Sequence, residues 1–247
     1  MIEFDNVTKR FSDQSGADVV AVRELALTIG RGETHALIGT SGCGKTTTLR
    51  MINRLEEPTS GSIRVDGQDI AAVDVYGLRR RIGYVIQTGG LFPHMTVAEN
   101  IGVLCELERH PPAEISRRVG ELLSLVGLEP TQFATRFPGE LSGGQRQRVG
   151  VARALALDPD YVLMDEPFSA LDPITRTEIH DEFEQVLKTV HKTVLLVTHD
   201  LHEAFKLADR ISIMHGGSIV QTGTREQLER TPANEFVSRF LAGSDLS

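Results

Sequence analysis

Apolar positions recur along this chain with two different periods, and the switch between them divides it. Val20 and Val22, then Leu25, Leu27 and Ile29, alternate with other residues before the turn Gly30-Arg31-Gly32, the period-two pattern of a half-buried strand. Thr34-His35-Ala36-Leu37-Ile38 is a short apolar strand that runs into a glycine-rich segment, with a helix predicted from about Lys45. From about residue 90 the spacing changes. Ile115, Val119, Leu122, Leu123 and Val126 fall on one face of a helix, with Pro111 and Pro112 at its start, and residues 146–157 read as a further helix. Strand character returns at Tyr161-Val162-Leu163-Met164. Asp172-Pro173 reads as cap and first position of a helix whose buried stripe is Ile179, Phe183, Val186, Leu187 and Val190. Thr193 to Thr198 is continuously apolar but for its ends, as in a parallel strand covered on both faces. Arg210 to Gln221, with Gly216-Gly217 inside, reads as a hairpin. The pattern predicts a β-rich start, an α/β core and a helical insertion between about residues 89 and 156.

Composition narrows this only slightly. The chain has 247 residues, enough for one sizeable core with a smaller subdomain. Its net charge of -8 disfavours non-specific nucleic-acid binding. Cys43 and Cys105 have no metal-ligand spacing and read as reduced thiols. No signal peptide is expected from the opening residues, and no apolar run is long enough to span a bilayer. A membrane role would therefore come through a partner.

The chemistry concentrates in three places. Gly39-Thr40-Ser41-Gly42-Cys43-Gly44-Lys45-Thr46 fits G-x-x-x-x-G-K-[ST] between a strand and a helix. Such glycines turn backbone N–H groups toward phosphate oxygens, Lys45 supplies a point charge and Thr46 an oxygen for Mg²⁺. Chance would give such a match in a chain this long on the order of once in a hundred. Alkylation of Cys43, inside the loop, is expected to hinder ATP binding by bulk. The second place is the end of the strand Tyr161 to Met164, where Asp165 and Glu166 follow. Asp165 is placed to reach the Mg²⁺ shell, and Glu166 to orient or deprotonate an attacking water. The third is Leu141-Ser142-Gly143-Gly144-Gln145 at a helix start, which is either a helix cap or a second anion-binding turn.

With that pentapeptide the chain resembles the ABC ATPase family over essentially its whole length. The resemblance implies a P-loop NTPase (RecA-like) α/β core with an N-terminal antiparallel β subdomain and an inserted α-helical subdomain. Residues 1–88 and 157–247 would form the nucleotide-binding core and 89–156 the helical signature part of a single domain. It also implies a homodimer in the ATP-bound state, in which Ser142, Gly143, Gly144 and Gln145 of one copy close on the γ-phosphate held by residues Gly39 to Thr47 of the other. By the same resemblance Gln87 is the glutamine that contacts Mg²⁺ and senses a permease. Ser169-Ala170-Leu171-Asp172 lies at the dimer seam, His199 reaches the γ-phosphate, and Phe11 stacks on adenine. ATP and Mg²⁺ are the implied cofactors. Glu166, His199 and Lys45 are the implied catalytic set, and Thr46, Gln87 and Asp165 the metal set.

Stretches Arg80 to Gln87, Met164 to Arg176 and Thr198 to Ile211 resemble the branch that imports quaternary amines such as glycine betaine, carnitine and choline. That branch implies transmembrane permease subunits, an indirect extracytoplasmic solute-binding protein, and a peripheral position on the cytoplasmic face. Phe92 and Met95 would lie near the permease. The chain ends soon after Phe240, so the C-terminal sensor modules of some members are not expected. Thr88-Gly89 departs from the branch pattern in the permease-facing loop. Other solutes (polyamine, methionine, sulfonate), a non-transport ABC ATPase and a nucleotide sensor without hydrolysis are the alternatives.

Overall fold

The computed structural model describes residues 1–12, 18–87, 90–169 and 173–243. In chain order the elements are β1 (Ile2–Ser12), β2 (Asp18–Ile29), β3 (Thr34–Gly39), α1 (Lys45–Ile52), β4 (Ser60–Val65), β5 (Gln68–Asp69) and α2 (Val75–Arg80). They continue with β6 (Ile82–Val85), α3 (Val97–Leu107), α4 (Pro112–Leu125), α5 (Pro130–Phe133), α6 (Gly143–Ala154), β7 (Tyr161–Asp165) and α7 (Pro173–Val190). The last are β8 (Thr193–Thr198), α8 (Leu201–Leu207), β9 (Arg210–His215), β10 (Ser218–Gly223), α9 (Arg225–Arg230) and α10 (Glu235–Leu241). They form two compact units: residues up to Arg79 with those from Thr193 onward, and Arg80–Lys192.

In the first unit β1 pairs antiparallel with both β2 and β4, and β5 continues from β4. Val7 faces Leu25 and Lys9 faces Val22, so β2 has one residue more than β1 across this step. Glu24 absorbs it with φ 44°, its N–H donating to Thr8 Oγ1 at 3.1 Å. The bulge shifts side-chain parity. That is why buried positions run Val22, then Leu25, Leu27 and Ile29, rather than in one unbroken alternation. Beside this sheet, β3 pairs parallel with both β8 and β9, and β10 closes antiparallel on β9. Every residue of β3 and β8 is buried, as strands flanked on both faces require. His35, wholly buried, is satisfied by Glu33 Oε1 at 2.7 Å and Ser212 Oγ at 2.8 Å. That hydrogen bond from His35 holds the Glu33 carboxyl below the usual carboxylate range.

The second unit pairs β6 parallel with β7 and packs α6 against β6 and α3. A Cβ at Gly83 would lie 2.3 Å from the carbonyl oxygen of Ala154, so a glycine in β6 lets the end of α6 approach the strand. The helix expected over residues 146–157 instead runs Gly143–Ala154. It starts earlier because Ser142 caps it. In α7 Phe183 and Val186 are buried, whereas Leu187 and Val190 are half-buried. His180 is buried too, edge-on to Phe168 with ring centres 4.9 Å apart. The side chain of Ile179 lies outside the described residues.

Candidate nucleotide site

The phosphate loop is built in the first unit from the end of β3 to the start of α1. Two of its glycines are fixed by packing from far along the chain. Gly44 has φ 104°, and a Cβ there would meet the Ala21 carbonyl oxygen at 2.3 Å and Met214 Cε at 2.9 Å. At Gly39 a Cβ would meet the Met214 carbonyl oxygen at 2.1 Å. Backbone of β2 and β9 thus presses on both ends of the loop, where only hydrogen fits. Lys45 is 5% exposed, and its Nζ donates to the carbonyls of Gly39 at 2.8 Å and Thr40 at 3.0 Å. The ammonium is thereby held inside the curve of the loop, while Ser41 and Gly42 at the tip are exposed. Gly44 precedes α1 without a side-chain cap, so the first N–H groups of that helix have no competing side-chain acceptor from the cap. Thr46 and Thr47 are half-buried in its first turn.

Cys43 changes one expectation. Its thiol is buried 3.8 Å from Lys45 Nζ, and burial pushes its pKa up. Alkylation therefore requires the loop to open first, because a protonated, covered thiol reacts slowly.

β8 pairs with β3 in the register Ile38↔Thr198. His199, next along the chain, is therefore carried at the same strand ends as the loop, and it is exposed. Its backbone is held from behind. Thr198 Oγ1 donates to the buried Glu203 at 2.7 Å, and Asp200 caps α8 by accepting from the N–H groups of His202 and Glu203 at 2.8 and 3.2 Å. Phe11, at the other end of this unit's sequence, is 38% exposed near the end of β1, with Lys9 Nζ 4.7 Å from its ring centre.

The second unit carries the acidic group. Asp165 ends β7 and is 3% exposed. Glu166 follows with φ 43°, a left-handed conformation that costs a non-glycine residue about 1–2 kcal/mol. The strain is held by the turn that follows, where Ser169 N and Oγ both donate to the Glu166 carbonyl, at 3.3 and 3.0 Å. Buried Phe168, wedged against His180 and Phe183, anchors that turn. Gln87, just past β6, donates from Nε2 to Glu166 Oε2 at 3.0 Å. The register Val85↔Met164 carries both residues to the same end of their strand pair. In this unit the structure brings together Gln87 and Glu166, which the sequence separates widely. The strained backbone at Glu166 had no sequence signal.

Ser142 to Gln145 form a capping box at the start of α6. Gln145 N donates to Ser142 Oγ at 3.2 Å, and Ser142 N donates to Gln145 Oε1 at 3.0 Å. The helix-cap reading of this pentapeptide is therefore realised, and it leaves Ser142 exposed and Gly144 buried. Of the seam segment, Ser169 is described; Ala170, Leu171 and Asp172 lie outside the described residues, as do Thr88 and Gly89. Phe92 is exposed and Met95 half-buried in the second unit.

Among the described residues no group of three or more His, Cys, Asp or Glu side chains could hold a metal by itself. The Asp165 carboxylate, the Thr46 hydroxyl and the Gln87 amide are each hard oxygen donors of the kind Mg²⁺ takes. Among the described residues no helix is long and apolar enough to cross a membrane.

A parallel strand running through a glycine loop into a helix, with a buried lysine folded into the loop, defines the P-loop NTPase class. A structure comparison agrees. A post-hydrolysis dimer of the ATP-binding cassette MJ0796 bound to ADP and Pi matches with TM-score 0.80 and 33% identity, over 91% of this chain and 98% of that one. The profile of the family described as ABC transporter matches residues 22–169, and the chain belongs to that family. It is 51% identical to the choline transport ATP-binding protein OpuBA of Bacillus subtilis (strain 168), over 98% of this chain and 62% of that protein. It is 48% identical to the glycine betaine uptake system ATP-binding protein YehX of Escherichia coli (strain K12), over 100% of this chain and 78% of that protein. The chain thus spans about three fifths of the length of the first of these relatives.

Proposed function

We propose that this chain is the ATP-hydrolysing subunit of an importer for quaternary-amine osmoprotectants, working as a homodimer on the cytoplasmic face of the membrane against separate permease subunits. A solute-binding protein would engage the permease, not this chain. The observation that carries the reading is the loop around Lys45. Its glycines are clamped by remote backbone and its ammonium is buried, an arrangement that suits a triphosphate. The relatives' names, choline and glycine betaine transport, support the solute class.

In this reading Phe11 stacks on the base and Gly39 to Thr47 hold the phosphates. Mg²⁺ would be held by Thr46, Gln87 and Asp165, and when bound it supplies positive charge to the phosphate oxygens. Glu166 positions water for in-line attack and accepts its proton, with Gln87 fixing the carboxylate. His199 contacts the γ-phosphate. Ser142 to Gln145 of a second copy close the site, so loss of the γ-phosphate loosens the pair and the helical part, residues 89–156, passes the motion to the permease. The test is co-purification with the adjacent permease subunits, reconstitution in vesicles, and ATP-driven uptake of radiolabelled choline. Competition by glycine betaine and carnitine is expected. Competition by polyamines, methionine or sulfonates alone would overturn the solute, and failure of the chain to associate with any membrane partner would overturn the transport role.

A further inference from the structure

We propose that the second unit contains a small-molecule site unrelated to nucleotide: a groove between α3, α4 and α5 that takes an amphiphilic monocation with an aliphatic body. The groove has a volume of about 670 Å³, within the range of ligand pockets and far above a packing defect. Its floor is aliphatic, formed by Ile115, Val119 and Leu123 of α4 with Ala98 of α3. Glu99 and Glu106, on exposed turns of α3, stand among its lining residues.

Three features argue against an accidental gap. Gly102 lets α3 close on α4, for a Cβ there would lie 2.9 Å from Ile115 Cγ2. Beside Val119 there is room instead, because a Cβ on Gly120, the next residue and one that lines the groove, would have nothing within 4 Å. Close packing therefore ends where the hollow begins. The third feature is charge. Thr96 donates from its N–H and Oγ1 to Glu99 Oε2 at 2.6 and 2.9 Å, and those bonds keep the Glu99 carboxyl ionised to lower pH than usual. Glu106 is exposed. Among the described residues no lysine or arginine lines the groove, and His110 is drawn to Glu114, 3.6 Å away.

Apolar walls beneath two carboxylates select against anions and against compact hydrophilic zwitterions, whose charged groups would be desolvated there without partners. They suit a body that buries methylenes and a head that stays near water beside a carboxylate. The inference does not depend on the proposed transport role.

The experiment compares three probes with one chain length, octyltrimethylammonium, n-octanol and octanoate. It follows Ile115, Val119 and Leu123 methyl signals by NMR and affinity by calorimetry. Saturable binding is expected for the cation, with these methyls shifted, and weaker or no binding for the other two. Gly120→Leu, which fills open space without a steric conflict at its Cβ, should weaken the cation at least tenfold with the melting temperature kept. Glu106→Gln, an exposed change that leaves the groove's shape, should weaken the cation about two- to fivefold and leave octanol unchanged. Equal binding of all three probes, binding undiminished in folded Gly120→Leu, or no saturable binding would each overturn the proposal. Protection of the same methyls by the permease without probe binding would assign the groove to a protein helix and overturn it too.

Discussion

The phosphate loop of the first unit and the Ser142 to Gln145 turn of the second are both glycine turns that lead into a helix, but they are held in opposite ways. The loop at Gly39 to Gly44 is shaped by backbone from β2 and β9, far away in sequence, and it encloses its own lysine. The turn at Ser142 is closed by bonds that reach only three residues, and it offers its serine to solvent. The first is a preorganised cradle that depends on the whole unit around it. The second is a local device that folds with its helix. A surface meant to meet another molecule can be built locally, whereas a surface that must exclude water around a charge needs walls from elsewhere. Glu166 lies between these extremes, since its strained backbone is held locally by Ser169 while its carboxylate is held by Gln87 across the strand pair.

The contrast is sharpened by separating binding from chemistry. Glu166→Gln should reduce steady-state phosphate release by at least about a hundredfold while ATP affinity stays near wild type. Turnover close to wild type would remove Glu166 from the reaction. Gly44→Ala strikes the other half. Its methyl would collide with the Ala21 carbonyl in a backbone conformation that alanine resists, and ATP affinity should fall by roughly 3 kcal/mol, about a hundredfold, with a lower melting temperature. Retained affinity would mean that the loop is not clamped as described.

Ser142 tests whether the local turn does more than cap its helix. Ser142→Ala loses the bond to Gln145 N and should cost about 1 kcal/mol of stability. Ser142→Asp keeps a capping oxygen but adds negative charge. If the turn faces the phosphates of a second copy, the melting temperature of Ser142→Asp should match wild type while ATP turnover collapses. Full activity in this variant would reduce the turn to a cap. The smallest effect lies beneath the loop. Because hydrogen bonding from His35 lowers the Glu33 pKa in the fold, its contribution is complete above the ordinary carboxylate value of 4.5 and is lost as pH falls through the folded value. Glu33→Gln should therefore lower the melting temperature near pH 6, and the difference should shrink below pH 4.5. A difference that widens with acid would reverse the sign.

Much of this was legible in the residues themselves. The phosphate loop, the acidic end of β7, the hairpin of β9 and β10, and α4 all lie where period, glycine spacing and prolines predict them, since each signal is local and reads on a few neighbouring residues. α6 begins at Gly143, three residues ahead of the 146–157 expectation, because the Ser142 cap at the pentapeptide sets its start. What only the tertiary structure decided is who presses on whom. Ala21 and Met214 close the loop around Gly44 and Gly39, Gln87 meets Glu166, Glu24 bulges to shift the face of β2, and Glu166 sits in a strained conformation. None of these has a local period, because each is fixed by backbone brought together only once the strands have paired.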